Sequence, residues 1–283
     1  MLYDKISLNG KIIPAGQAII PFTETEVEYG FGVYETVKKR SGKLFFVDQH
    51  IERLFYSAVL IGLEHDLQTD QIKKWIVALV DCYKEDSLNL KIILQGRKSG
   101  YDLAMIPSAP LYPKKQWYRD GVKLCSFGYE RFLPQAKTLN MLPSYIYYKK
   151  AMSKDCYDGL FIDKSGNILE GSRTNFFAIK DKIIFSPPKE KILEGVTLMS
   201  MIKILDSVGF SIRFQNISLD SLSYYEGFFL TSTSSKILPV SQIDEQKYPV
   251  SLKLQELIRY YDQALDLSNG DFDRLLDFAK NLE

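Results

Sequence analysis

Histidine is nearly missing from this chain: His50 and His65 are the only two in 283 residues. Neither has a second ligand at metal-binding spacing, which excludes a zinc hydrolase. Cysteine is almost as scarce. Cys82, Cys125 and Cys156 are odd in number and widely spaced, so they fit neither a disulfide framework nor a zinc knuckle and predict free thiols in a reducing compartment. Excess charge is absent too: 36 basic and 35 acidic residues leave +1, so no global field draws the chain to nucleic acid or an anionic membrane. Apolar runs such as 44–47 are too short to span a bilayer, and the opening MLYDKISLNGKIIPAG lacks the basic and apolar regions of a signal peptide. There is no G-x-S-x-G elbow and no Walker A loop. The stretch Gly30-Phe31-Gly32-Val33-Tyr34-Glu35 begins like a dinucleotide fingerprint, but Glu35 stands where the third glycine belongs and a strand pattern follows. The expectation is a soluble cytoplasmic protein with no nucleic-acid or membrane partner and no metal.

What is present reads as an ordinary globular α/β protein. The length predicts two domains, each able to bury its own core. Residues 33–38 and 43–47 alternate as a hairpin around Ser41 and Gly42. Asp48 is placed to cap a helix whose apolar positions are Ile51, Leu54, Phe55 and Ala58, and a second helix is expected over 69–83. A buried strand follows at 89–96. The three prolines of 106–116 mark a linker, which sets the expected domains at 1–110 and 118–283 with the linker at about 106–118. Beyond it, strands are expected at 121–127, 158–163, 174–179, 182–186, 210–217 and 226–233. One helix opens at Gly195-Val196-Thr197 and ends at Gly209, and another follows Pro249.

Several residues invite a chemical reading beside a plain one. Lys137 is a solvated lysine or, in an apolar pocket, a nucleophile and proton carrier. Glu170 is a loop carboxylate before Gly171, or the acid that keeps a pyridine nitrogen protonated. Arg53 lies off the apolar stripe of its helix, either solvated or aimed at a phosphate. Thr197 is a fair N-cap on any helix, and with a phosphate present that N-terminus offers N–H groups and a hydroxyl. The hydroxyls of Ser232, Thr233, Ser234 and Ser235 make either a turn or an anion cradle.

Six strings carry a resemblance in order: YGFGVYETVK, DQHIERLFYSA, KTLNMLPSYIYYKKA, DGLFIDKSGNILEGSRTNFFAI, ILEGVTLMSMIKIL and FLTSTSSKILPV. From about residue 5 to 245 the chain resembles the class IV aminotransferases, which include branched-chain and D-amino acid aminotransferases and aminodeoxychorismate lyases. The resemblance implies fold type IV, two α/β domains, a homodimer, and pyridoxal 5′-phosphate between the domains. It implies that Lys137 is the Schiff-base lysine, Glu170 the partner of the pyridine nitrogen, and Arg53, Val196, Thr197, Ser232 and Thr233 the phosphate contacts. It places Leu193 behind the ring, Lys137 in the C-terminal domain, and Tyr34 and Glu35 near the substrate.

The chain departs from the family at Glu24-Thr25-Glu26, where an Asp-Arg-Gly is usual, and at Phe31, where an aspartate is usual. These changes bear on substrate choice and dimer contacts. The D-amino acid branch has an arginine and a histidine after the 89–96 strand; here Arg97 and Lys98 follow without a histidine. Branched-chain enzymes have an arginine where Lys91 aligns. Lys91, Arg97 and Lys98 are therefore the candidates for the substrate carboxylate. The expected activity is transamination between an amino acid, of branched-chain or D-type, and a 2-keto acid. The alternatives are an aminodeoxychorismate lyase and a catalytically silent cofactor-binding protein.

Overall fold

The chain folds as two units, one made of residues up to Leu111 with Ala136–Asn140, the other of Tyr112–Gln135 and the chain from Met141 onward. The computed structural model describes residues 3–281, so residues 1–2 and 282–283 of the expected domains lie outside the described residues.

In the first unit the elements are β1 (Lys5–Leu8), β2 (Lys11–Pro14), α1 (Thr25–Glu28), β3 (Gly32–Arg40), β4 (Lys43–Phe45), α2 (Val47–Leu60), α3 (Thr69–Val80), β5 (Leu88–Gly96) and β6 (Tyr101–Ser108). The antiparallel sheet runs β2-β1-β6-β5-β3-β4. The hairpin forms around Ser41 and Gly42, whose φ angles of 49° and 77° suit a tight turn. Strand period two sends Val33 and Val37 of β3, and Leu90, Ile92 and Leu94 of β5, to one face, where Ile51, Leu54 and Ala58 of α2 and Ile72, Ile76 and Leu79 of α3 cover them. Each such aliphatic side chain, fully buried, contributes roughly 1.5–3 kcal/mol. Asp48 does not cap: the cap position is Phe46, two residues earlier and in the left-handed region, and Asp48 reaches Lys73 of α3 at 2.8 Å.

The second unit comprises α4 (Lys115–Asp120), β7 (Val122–Gly128), α5 (Leu142–Met152), β8 (Asp158–Ile162), β9 (Asn167–Gly171), β10 (Asn175–Lys180), β11 (Ile183–Ser186), α6 (Val196–Leu205), β12 (Ser211–Phe214), β13 (Ile217–Ser218), β14 (Gly227–Ser232), β15 (Lys236–Ile243), β16 (Gln246–Lys247) and α7 (Leu252–Ser268). Its sheet runs β12-β11-β10-β14-β15-β7-β8-β9-β13, and a further pairing of β9 with β10 closes six of these strands on themselves. Leu124, Leu160, Phe176, Phe228, Leu230 and Leu238 form the centre of its core.

Three expectations need correction. Residues 106–108 are the end of β6, paired with β5, because strand pairing overrides the proline signal at Pro107. Residues Ala136–Asn140, with Lys137 among them, belong to the first unit and not the C-terminal one, since they pair with β3. Cys125 and Cys156 are joined by a disulfide: the parallel β7–β8 ladder sets Cys125 opposite Gly159, which brings the segment entering β8 alongside β7. No helix of the described residues is long and apolar enough to cross a membrane.

Candidate active site

The first unit positions Lys137 through its backbone. Thr138 bridges Val33 antiparallel, Tyr34 N–H donates to the Lys137 carbonyl at 2.9 Å, and Leu139 N–H donates to the Gly32 carbonyl at 2.9 Å. The segment thus extends the sheet along β3, with Lys137 opposite Tyr34. From α2, the Ser57 hydroxyl accepts from Lys137 N–H at 3.1 Å. Because cross-strand partners share a face, Tyr34, Lys137 and, two residues along from Ile93, Lys91 lie on the sheet face away from α2 and α3. The ammonium groups of Lys137 and Lys91 stand 4.6 and 5.1 Å from the Tyr34 ring centroid. Cation–π attraction holds both near one ring.

Glu35, next along β3, points to the other face. It is fully buried, and Arg53 of α2 donates to it from Nε at 2.6 Å and from Nη2 at 2.8 Å. His50 Nδ1 lies 2.7 Å from the same carboxylate. Burial opposes ionisation of Glu35, but the Arg53 guanidinium and His50 outweigh it and hold the carboxyl well below its usual range. Burial also pushes the His50 imidazole down, against the pull of Glu35, with its Nδ1 facing the carboxylate. The arrangement makes Glu35 a fixed support for Arg53.

The other basic candidates are elsewhere. Arg97 is held by Glu24, at 2.6 Å from Nε and 2.7 Å from Nη2, and also by Asp102. The hydrogen bond from Arg97 lowers the Glu24 carboxyl to about 2. Lys98 is exposed at the hairpin turn. Of the three, the sheet register brings only Lys91 to Tyr34 and Lys137.

The second unit positions Glu170 near the end of β9, opposite Asn175 of β10, which in turn pairs with Thr231 of β14. Glu170, Asn175 and Thr231 therefore share one face. The Glu170 carboxylate accepts from Arg131 Nε at 2.6 Å and from Leu193 N–H at 3.1 Å. The Leu193 carbonyl accepts from Asn175 Nδ2 at 2.8 Å. Arg131 and Asn175 were not singled out in the sequence. Arg131 lies in an irregular segment without periodicity, and Asn175 reads there as an ordinary strand start.

Helix α6 begins beside this row. Its N-cap is Gly195 and not Thr197, which sits inside the first turn, and no side chain caps the helix. A Cβ on Gly195 would collide with Asn175 Oδ1, so glycine is what allows the helix start to press against β10. Val196 and Thr197 are buried there. Ser232 and Thr233 enter the β14–β15 turn, where Ser232 Oγ lies 2.7 Å from Ser235 Oγ. The Thr231 hydroxyl is buried without a hydrogen-bond partner. An uncapped helix start and an orphaned hydroxyl, on the face that also carries an ionised-pair carboxylate, fit the phosphate and the ring nitrogen of a pyridoxal cofactor.

The sequence profile of the family described as Amino-transferase class IV matches residues 32–243, most of the chain. The chain belongs to the class IV aminotransferases. Members of class IV depend on pyridoxal 5′-phosphate. This class IV chain is 27% identical over 254 residues to D-alanine aminotransferase of Bacillus licheniformis, covering 86% of the chain and 89% of that protein. It is 26% identical over 257 residues to a probable branched-chain-amino-acid aminotransferase of Rickettsia conorii, covering 84% and 86%. Its fold is that of the branched-chain aminotransferase from Thermoproteus uzoniensis, solved with norvaline, at a TM-score of 0.87, 21% identity and coverage of 97% and 98%. The mixed α/β architecture implied by the resemblance is thereby established, and the chain is a transferase.

Proposed function

We propose that this enzyme transfers an amino group from an amino acid, of branched-chain or D-type, to a 2-keto acid, with Lys137 and Glu170 as its catalytic residues. The observation that carries the reading is the pair of ammonium groups on Tyr34, with no carboxylate in ion-pair contact with either among the described residues. One cation serves the chemistry and the other, Lys91, receives the substrate carboxylate.

When bound, pyridoxal 5′-phosphate supplies the electron sink into which the Cα–H bond of an amino acid ionises. Lys137 Nζ takes that proton and returns it, acting as base and then as acid. Glu170 holds a proton at the pyridine nitrogen, and Arg131 and Leu193 N–H fix its carboxylate for that task. The N–H groups at the start of α6, the Thr197 hydroxyl and the Ser232–Thr233 turn would hold the phosphate, and Leu193 would offer the ring an apolar side chain. Arg53 adds a guanidinium to the phosphate, oriented by Glu35, which on this reading does not touch the substrate.

A homodimer accords with the exposure of Ile19, Ile20, Phe22 and Tyr29, since large apolar side chains grouped in one stretch are commonly covered by a partner. A cytoplasmic setting is compatible with the disulfide, because Cys125 and Cys156 are both buried and thiol exchange needs access.

The deciding experiment follows a labelled amino group. Protein mixed with a panel of ¹⁵N-labelled L- and D-amino acids, without acceptor, should release at most one equivalent of keto acid per active site. Adding 2-oxoglutarate or pyruvate should start continuous turnover and move the label into a new amino acid. Continuous release of pyruvate from aminodeoxychorismate, with no transfer across the panel, would establish the lyase instead.

A further inference from the structure

Asp158 is the first residue of β8 and is wholly buried, yet it lies outside every role assigned above. Its neighbours are specific. The Ser172 hydroxyl donates to Oδ1, Gly159 N–H donates to the same oxygen at 2.9 Å, and the Thr174 hydroxyl donates to Oδ2 at 3.0 Å. Burial pushes the Asp158 carboxyl up, against the Arg173 guanidinium and these three donors. Both hydroxyls come from the turn joining β9 to β10, which is also tied by Ser172 N–H to the Gly159 carbonyl at 2.8 Å and by Gly171 N–H to the Thr174 carbonyl at 2.7 Å. Gly171 fits only because it lacks a side chain: a Cβ there would overlap the Thr174 hydroxyl and come within 2.8 Å of Asp158 Oδ2.

The residue before Gly171 is Glu170, and the residue after Thr174 is Asn175, its partner across the closing pair of the sheet. Among the described residues one pairing joins β9 to β10, and on its other side β9 meets β8 through a ladder that is irregular between Leu160 and Ile162, so the side-chain ties of the turn add to the ladders in setting the Glu170 backbone. We propose that Asp158 is a positioning residue for Glu170: it clamps the turn from beneath, and through the backbone it aims the Glu170 carboxylate at Arg131 and Leu193. The inference rests on the catalytic role proposed for Glu170, but the positioning is measurable without cofactor. The amide of Leu193 belongs to a different segment, has no hydrogen bond to Asp158, and donates to Glu170 Oε2. Its hydrogen exchange therefore reports on where that carboxylate is held.

The test is amide exchange in the folded full chain, together with turnover at saturating cofactor. Asp158→Ala should speed exchange at Leu193 by about tenfold or more, because the turn loses its buried acceptor. At saturating cofactor it should lower kcat while KM stays within about twofold, the pattern of a lost transition-state interaction. Asp158→Asn should rescue both, since Oδ1 still accepts from Ser172 and Gly159 and the new amide can donate to the Thr174 hydroxyl. Leu160→Ala, a core truncation on the same strand, should lower the melting temperature without accelerating Leu193 beyond the general rise seen at Phe229. Should Asp158→Ala not fold, Thr174→Val removes one of the three donors and should speed Leu193 in the same direction. Parent-like exchange at Leu193 in either folded variant, with the Gly171 and Ser172 amides accelerated, would overturn the proposal. Faster exchange at Leu193 with an unchanged kcat would uphold the positioning and count against the role of Glu170.

Discussion

Arg53 and Glu35 form a two-point ion pair, Nε to Oε1 at 2.6 Å and Nη2 to Oε2 at 2.8 Å, inside the packing of α2 against the sheet. A two-point pair fixes the plane of the guanidinium as well as its place. Removing one partner leaves the other charge buried and uncompensated, so Glu35→Gln should destabilise the protein by roughly 3–5 kcal/mol at neutral pH. The pH dependence has a definite sign. The folded Glu35 carboxyl is depressed by Arg53 and His50 against its burial, so its contribution is complete above the unfolded carboxyl value of about 4.3 and is lost as pH falls toward the folded value. Urea unfolding at several pH values should show the gap between parent and Glu35→Gln constant from pH 6 to 8 and shrinking below about pH 4. A gap of equal size at pH 3 and pH 7 would contradict this.

Lys91 and Arg97 separate two kinds of basic residue on β5 and the turn that follows it. Lys91→Gln should raise KM for the amino acid by about 10- to 100-fold, the range of a charge-assisted hydrogen bond of 1.5–3 kcal/mol. Arg97→Gln should leave KM nearly unchanged, because Glu24 and Asp102 already occupy that guanidinium. Steady-state kinetics on both variants decide the point. Equal effects, or an effect of Arg97 alone, would move the carboxylate site.

Glu170 and Arg53 should divide catalysis from cofactor retention. Glu170→Ala should lower kcat at saturating cofactor by at least about 10-fold, and Arg131→Ala should follow it in the same direction, since Arg131 fixes that carboxylate. Arg53→Ala should weaken cofactor binding and, by leaving Glu35 buried without its guanidinium, also lower stability, while kcat at saturating cofactor in the folded variant changes less than in Glu170→Ala. Cofactor titration alongside turnover distinguishes the two patterns.

The long periodic elements were legible in the sequence because each buries a continuous apolar stripe: α3 and α6 lie within the stretches their spacing predicts, α7 follows Pro249, and α2 carries its stripe of Ile51, Leu54 and Ala58 but begins ahead of Asp48. Helix α5 was missed for the converse reason, as Ala151 is its only buried residue and LPSYIYYKKAM has no stripe to read. The β9 strand was hidden because both faces are buried and Gly171-Ser172 reads as a turn from the start. Which strand Lys137 joins is a long-range pairing, and no local pattern encodes its partner Tyr34. The disulfide was illegible on the same ground, since 31 residues and the β7–β8 register separate Cys125 from Cys156. At the site, Lys137, Glu170 and Lys91 were singled out by residue type and resemblance. The supports beneath them, Arg131, Asn175 and Asp158, emerge only from the closed sheet.

The central claim is that Lys137 is the residue that binds the cofactor covalently. Borohydride reduction of the protein loaded with pyridoxal 5′-phosphate, followed by proteolysis and mass spectrometry, tests it most directly. The account predicts loss of the visible absorbance and a phosphopyridoxyl mass on the peptide containing Lys137, with Lys137→Ala unlabelled. Labelling at Lys91 or any other lysine, with Lys137 unmodified, would contradict it.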